Sequence, residues 1–118
     1  MSELENISPE IVTVTREDDQ VVITLFVSSQ LDYFKGHFPQ AAILPGVVQL
    51  DWAVQFARDN FQLANTPLSH VEVLKFKAVI FPDSTITLTL IKKSEQKYSF
   101  DISSEVDKHA SGRLVFNR

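Results

Sequence analysis

The stretch Leu44-Pro45-Gly46-Val47-Val48-Gln49-Leu50-Asp51-Trp52-Ala53-Val54-Gln55-Phe56-Ala57-Arg58 reads as a helix set among strands. Proline is tolerated in a first helical turn because its missing N–H would have no intrahelical partner there. The pattern predicts a helix from Pro45-Gly46 to about Phe61. Val47, Leu50, Val54, Ala57 and Phe61 follow the three-then-four spacing of one face, and Val48, Trp52, Ala53 and Phe56 make most of the remaining circumference apolar. Such a helix is expected to be buried, with Asp51, Gln55 and Arg58 as a narrow polar wedge.

Working outward, Ile11–Arg16 and Val21–Val27 are rich in β-branched residues and flank the charged cluster Glu17-Asp18-Asp19-Gln20, the pattern of two strands joined by a hairpin turn. The first ten residues read as a short lead-in. From Ser28 to Leu44 the strand pattern disappears into an irregular loop holding Asp32, Tyr33, Phe34, Gly36, His37 and Pro39. A loop of that length in a small domain is usually functional, and its aromatic content argues against disorder.

Past the break at Asn65-Thr66-Pro67, Leu74, Phe76, Ala78 and Ile80 alternate with Lys75 and Lys77, and Phe81-Pro82-Asp83-Ser84 forms a turn. Ile86, Leu88 and Leu90 then alternate with threonines. Tyr98, Phe100, Ile102 and Val106 alternate with polar residues, a turn is expected at Asp107–Gly112, and a last strand at Arg113–Phe116. The expected architecture is α+β, a curved antiparallel sheet of about six strands wrapped around one central helix.

Length and composition bound the function. A chain of 118 residues with 44% hydrophobic residues builds one core and is expected to be a single domain. It has no cysteine, which excludes a thiolate nucleophile and a cysteine-ligated metal and fits a reducing compartment. A net charge of −4 disfavours a general nucleic-acid grip. The longest apolar run, Ala41–Val48, is too short to span a bilayer, and the acidic start does not read as a secretion signal. A cytoplasmic location is the expectation.

His37 lies in the loop between aromatic residues, and Asp51 follows fourteen positions later, about one and a half turns into the helix. An imidazole and a carboxylate against apolar walls form a candidate acid–base pair, because burial disfavours both charged forms and brings both groups toward neutral-pH chemistry. The bland readings are a capping role for His37 and a solvated Asp51, or one paired with Arg58. Gly46 either eases packing at the helix start or offers its N–H, at the positive end of the helix, to a developing oxyanion. His70 at a strand start and His109 in a polar turn read as structural. No two histidines have helical metal-ligand spacing.

Gly36-His37-Phe38-Pro39, Ile43-Leu44-Pro45-Gly46-Val47-Val48 and Asp51 together resemble the active-site motif of the hotdog-fold 3-hydroxyacyl-[acyl-carrier-protein] dehydratases of fatty-acid synthesis. Leu74-Lys75-Phe76-Lys77-Ala78-Val79-Ile80-Phe81-Pro82-Asp83 looks like that family's basic–aromatic strand, although the glycine that usually separates Pro from Asp is missing. Ala42 departs from the commoner proline. Asp51 resembles the branch that also isomerises the double bond, where the elongation branch usually has Glu. The run Leu44–Trp52 looks most like the small dehydratases of aryl-polyene-type pathways.

The resemblance implies that His37 takes a proton from C2 of a 3-hydroxyacyl thioester, that the Gly46 N–H holds the thioester oxygen, and that Asp51 protonates the departing 3-hydroxyl. No cofactor and no metal is implied. The implied partners are an acyl carrier protein and a second copy of the chain, each site of the homodimer borrowing its acid from the neighbour. Phe34, Phe38, Leu44, Val48, Trp52 and Phe76 are acyl-tunnel candidates, and equally good core residues. Lys35, Lys75 and Lys77 are candidate contacts for an acidic carrier protein. A hotdog acyl thioesterase and a non-catalytic acyl-binding subunit are the alternatives.

Overall fold

Six strands and one long helix make up the computed structural model, which describes residues 6–35 and 42–118. The strands are β1 (Glu10–Glu17), β2 (Gln20–Val27), β3 (Leu68–Phe76), β4 (Ser84–Lys92), β5 (Lys97–Ser103) and β6 (Lys108–Phe116). The helix α1 spans Gly46–Asn60, and a short 3-10 turn occupies Asp32–Phe34. The strands form one antiparallel sheet in the order β1-β2-β4-β5-β6-β3. This is the expected curved sheet with a single helix, the hotdog fold.

Alternation builds the core. Val21, Ile23, Leu25 and Val27 of β2, Ile86, Leu88 and Leu90 of β4, and Tyr98, Phe100 and Ile102 of β5 are buried, while the residues between them are half exposed. Period-two placement puts them on the face that carries α1, and a fully buried side chain of this size stabilises by roughly 1.5–3 kcal/mol. Val48, Trp52, Ala53, Val54 and Ala57 of α1 join the same cluster.

Three expectations about the helix and strands are corrected. Val47 is 70% exposed and Gln49 is buried, so α1 is buried on one side and keeps Val47, Asp51, Gln55 and Asp59, four residues apart, on an open side. The third strand runs from Leu68, just past the expected break and two residues before His70, but ends at Phe76, short of the expected Ala78 and Ile80. Val73 at φ 48° sits where the register between β3 and β6 slips, and this bulge leaves Leu74 and Phe76 exposed rather than in the core. The last strand starts at Lys108, because the turn is a tight one closed by Ser104 N–H donating to Asp107 O at 2.8 Å. Val106 at that turn is 85% exposed rather than part of an alternating strand.

His109 therefore lies in β6 and not in a polar turn. It is buried, with Nδ1 2.9 Å from the Ala78 carbonyl and Nε2 2.9 Å from Ser104 Oγ. A carbonyl only accepts, so Nδ1 donates to Ala78, and Nε2 has the Ser104 hydroxyl as its partner, which leaves both ring nitrogens of a structural histidine satisfied. The missing glycine also has an answer. Asp83 takes φ 62°, the left-handed conformation glycine usually supplies, and its carboxylate accepts the Ser29 N–H at 2.9 Å.

Candidate functional site

The approach to α1 is pinned by backbone pairing. Leu44 N–H donates to Ile80 O at 2.8 Å, which fastens Ala42–Pro45 to the segment after β3 and sets where the helix begins. Pro45 caps α1 with no side-chain hydrogen bond, and its carbonyl accepts from Val48 and Gln49. The first N–H groups of a helix have no intrahelical acceptor, so the Gly46 N–H stands at the positive end of α1 as a donor for an incoming oxygen. The Phe76 ring lies over this point. A Cβ on Gly46 would come 3.1 Å from Phe76 Cε1 and 3.2 Å from Cδ1.

Asp51 follows on the open side of α1 and is exposed. It lines a cleft of about 340 Å³ together with Ile7, Pro9, Ile11, Trp52, Gln55 and Phe56. Trp52 is buried, donates its indole N–H to Ile7 O at 3.0 Å, and meets the edge of Tyr33 with ring centroids 6.5 Å apart. Burial first, then the negative charges of Asp51 and Asp32, push the Tyr33 phenol above its ordinary value. Arg58 lies over the Phe116 ring, its guanidinium carbon 5.6 Å from the centroid.

Of the residues singled out from sequence, Gly46 and Asp51 fall on one helix and Phe76 on the strand beside its start. Gly36, His37 and Phe38 lie outside the described residues. Phe34, Leu44, Val48 and Trp52 belong to the buried core cluster, whereas Phe76 is half exposed. Lys35 is bound to Asp32 through an ion pair of 2.7 Å. Lys75 and Lys77 are exposed.

Tyr33, Gln49 and the lead-in residue Ile7 were not singled out. Gln49 is 3% exposed and its Oε1 finds no hydrogen-bond partner among the described residues. Tyr33 carried a signal, an aromatic hydroxyl between Asp32 and the His37 loop. Ile7 carried none, because its contact with Trp52 spans forty-five residues.

A larger hollow of about 700 Å³ lies elsewhere, lined by Thr24, Thr85, Thr87, Ser104 and His109. Val79 and Phe81 of the second motif also line it, but among the described residues it holds neither Gly46 nor Asp51, and its one described imidazole is committed at both nitrogens. Among the described residues, no cluster of three or more His, Asp or Glu side chains could hold a metal ion. No described helix is long and apolar enough to cross a membrane.

Comparison with known proteins places the chain with a family of dehydratases. The ApeI-like family, ApeI dehydratase, matches residues 13–113. The 3-hydroxyacyl-[acyl-carrier-protein] dehydratase FabZ of Streptococcus equi subsp. zooepidemicus is 28% identical over 109 residues, covering 84% of this chain and 78% of that protein. Among solved structures, the dehydratase heterocomplex ApeI:P from Xenorhabdus doucetiae superposes with a TM-score of 0.82 at 25% identity, covering 94% of this chain and 99% of that one. An uncharacterized protein from Erwinia carotovora subsp. atroseptica gives a TM-score of 0.79 at 29% identity, covering 93% and 96%.

Proposed function

The chain belongs to the ApeI-like dehydratase family, and from that premise we propose that its site eliminates water from a 3-hydroxyacyl thioester held on an acyl carrier protein, giving the trans-2-enoyl thioester in fatty-acid or aryl-polyene-type biosynthesis. The enzyme is a hydro-lyase by family. In the proposed mechanism the His37 imidazole removes a proton from C2, the Gly46 N–H stabilises the enolate-like thioester oxygen, and Asp51 gives a proton to the leaving 3-hydroxyl. C2 gives its proton to His37, the C3–O bond breaks and the hydroxyl leaves as water with the proton from Asp51, and the C2–C3 double bond forms. One such oxyanion donor is typically worth about 3 kcal/mol of barrier.

The observation that carries this reading is the placement of Gly46 as the first residue of α1, under the Phe76 ring, with Asp51 exposed on the same helix beside a cleft. These are a donor for developing negative charge and an acid with space for substrate. Cytoplasmic action and a single domain over residues 1–118 are parts of the same proposal.

A paired assembly completes it. β3 ends the sheet, so one of its edges is open, and exposed Val73, Leu74 and Phe76 line that strand. Pairing there is the arrangement proposed for a second copy, with the acid exchanged between the two sites. The Xenorhabdus relative was solved as a heterocomplex, so the mass of the purified protein, alone and with a co-expressed hotdog partner, decides between an identical and a different mate. Lys75 and Lys77 are the proposed carrier-protein contacts, with Lys35 less available because Asp32 holds it.

The deciding assay incubates the protein with 3-hydroxydecanoyl carrier protein and follows enoyl absorbance and free thiol together. Enoyl without thiol supports dehydration. Thiol without enoyl makes the protein a hotdog thioesterase, and neither makes it a non-catalytic acyl-binding subunit.

A further inference from the structure

We propose that His109 is a positioning residue for the Gly46 N–H: its buried imidazole anchors the segment Phe76–Ile80, whose two ends meet the start of α1. This rests on the dehydratase reading above, in which that N–H meets the thioester oxygen. His109 stands on β6, away from the helix that carries Gly46 and Asp51, and has no part in the proposed proton transfers.

At the start of the segment the Phe76 ring lies against Gly46, 3.1 Å from where a Cβ would stand. At its end Ile80 O accepts the Leu44 N–H at 2.8 Å, two residues before Gly46. Between these contacts β3 has ended and the chain is leaving the sheet, so its placement depends on what fastens it to β6. Three hydrogen bonds do so. Lys77 N–H donates to His109 O at 2.9 Å and Ala78 N–H donates to Lys108 O at 3.1 Å. The third comes from a side chain, His109 Nδ1 donating to Ala78 O at 2.9 Å, and it is the one a substitution removes.

The imidazole is itself held. His109 is 5% exposed, and its Nε2 lies 2.9 Å from Ser104 Oγ in the turn between β5 and β6. Rotating the ring would leave a buried polar atom unpaired, at a cost of about 1–3 kcal/mol. The ring is therefore a strut between that turn and Ala78. Misplacing a reacting group by about 1 Å from a distant site can cost on the order of 10²-fold in rate. A donor that meets charge only as it develops shows its loss in kcat rather than in KM.

Two variants separate the ring nitrogens. An asparagine amide stands near the place of Nδ1 and keeps a donor for Ala78, whereas a glutamine amide reaches the place of Nε2 and keeps a partner for Ser104. Both remove the ring, so a merely structural role lowers stability in both and kcat per folded protein in neither. With the N-acetylcysteamine thioester of 3-hydroxydecanoate, His109→Gln is expected to lose about tenfold or more in kcat with KM within about twofold, and His109→Asn to recover most of that loss. Equal kcat in the two variants, or a loss that follows the folded fraction, overturns the proposal. Should His109→Gln fail to fold, His109→Phe, which keeps a ring and loses both nitrogens, takes its place with the same expected loss.

A second readout needs no turnover. The chain has three glycines, so protein labelled at glycine nitrogen gives a spectrum of three glycine amides, in which Gly46 is identified by its loss in Gly46→Ala. Its resonance reports on the Phe76 ring that lies over it. His109→Gln, or His109→Phe in its place, is expected to move the Gly46 resonance, and His109→Asn to return it toward the parent position. A Gly46 resonance that stays in place in His109→Gln overturns the positioning role. Failure of the parent protein to dehydrate the thioester overturns the dehydratase reading instead, and the resonance still decides whether His109 places Gly46.

Discussion

The Phe76 ring rests against the backbone of Gly46, so closely that a methyl group there would lie 3.1–3.3 Å from three ring carbons. Two effects oppose each other in Gly46→Ala. Alanine favours a helix over glycine by up to about 1 kcal/mol, while the ring must move by a few tenths of an ångström. Phe76 is half exposed and can move. We expect stability to change by less than about 1 kcal/mol and dehydration to fall at least tenfold, because the displaced ring borders the proposed oxyanion donor. In a Phe76→Ala background, Gly46→Ala should be more stabilising than in the parent protein; equal effects in the two backgrounds, measured by thermal melts, would show that ring and glycine do not interact.

Asp51→Asn separates chemistry from folding. The side chain is exposed, so the substitution should leave stability within about 0.5 kcal/mol, whereas loss of a general acid typically costs on the order of 10²–10⁴ in rate. The same variant removes one of the charges that hold the Tyr33 phenol up. Tyr33 should then ionise at lower pH than in the parent protein, seen as an earlier rise in phenolate absorbance. The only other tyrosine, Tyr98, is fully buried.

Gly112→Ala should be costly where Gly46→Ala is not. A Cβ on Gly112 would lie 2.7 Å from Phe100 Cε2, and Phe100 is 2% exposed inside the core. With no free direction for the ring, overpacking of this kind costs about 1–3 kcal/mol. Denaturant titration should show a lower midpoint, partly restored by adding Phe100→Leu. An unchanged midpoint would mean that β5 and β6 separate more easily than their packing implies.

Glu72 predicts an acid-side dependence of stability. Arg113 Nε donates to its Oε1 at 2.8 Å, His70 lies 3.2 Å away and Lys97 3.6 Å, and these partners, Arg113 foremost, hold its carboxyl down to about 2. A carboxylate depressed in the folded state contributes stability above its ordinary value near 4.5, and that contribution is lost as pH falls toward 2. Glu72→Gln should therefore melt below the parent protein at pH 6, with the gap closing between pH 4.5 and 2 and shrinking in high salt, since the network is exposed. A gap that stays constant across this range would remove the ionic contribution.

Local signals in the chain determined a great deal. Alternation in β2, β4 and β5, the hairpin at Asp18-Asp19 and the Pro45-Gly46 start of α1 all rest on neighbours within a few residues, and each stands where the pattern put it. The count of about six strands and one long helix, and with it the fold class, followed from those elements, whereas the place of β3 at the edge beside β6 did not. The motif residues Gly46 and Asp51 were likewise readable, because their spacing within one helix is local geometry.

Tertiary structure alone decided which way the pieces face. The bulge at Val73 turned Leu74 and Phe76 out of the core and laid the Phe76 ring on Gly46, an event that depends on pairing with β6. The sheet buried one side of α1 and left Val47 open while burying Gln49, which amphipathic counting cannot foresee when the helix is apolar almost all round. The lead-in became the wall of a cleft only because Trp52, forty-five residues away, had a hydrogen bond to give. A one-dimensional pattern carries the period of each element; contacts between distant segments fix its rotation and register, and it is these that build the site.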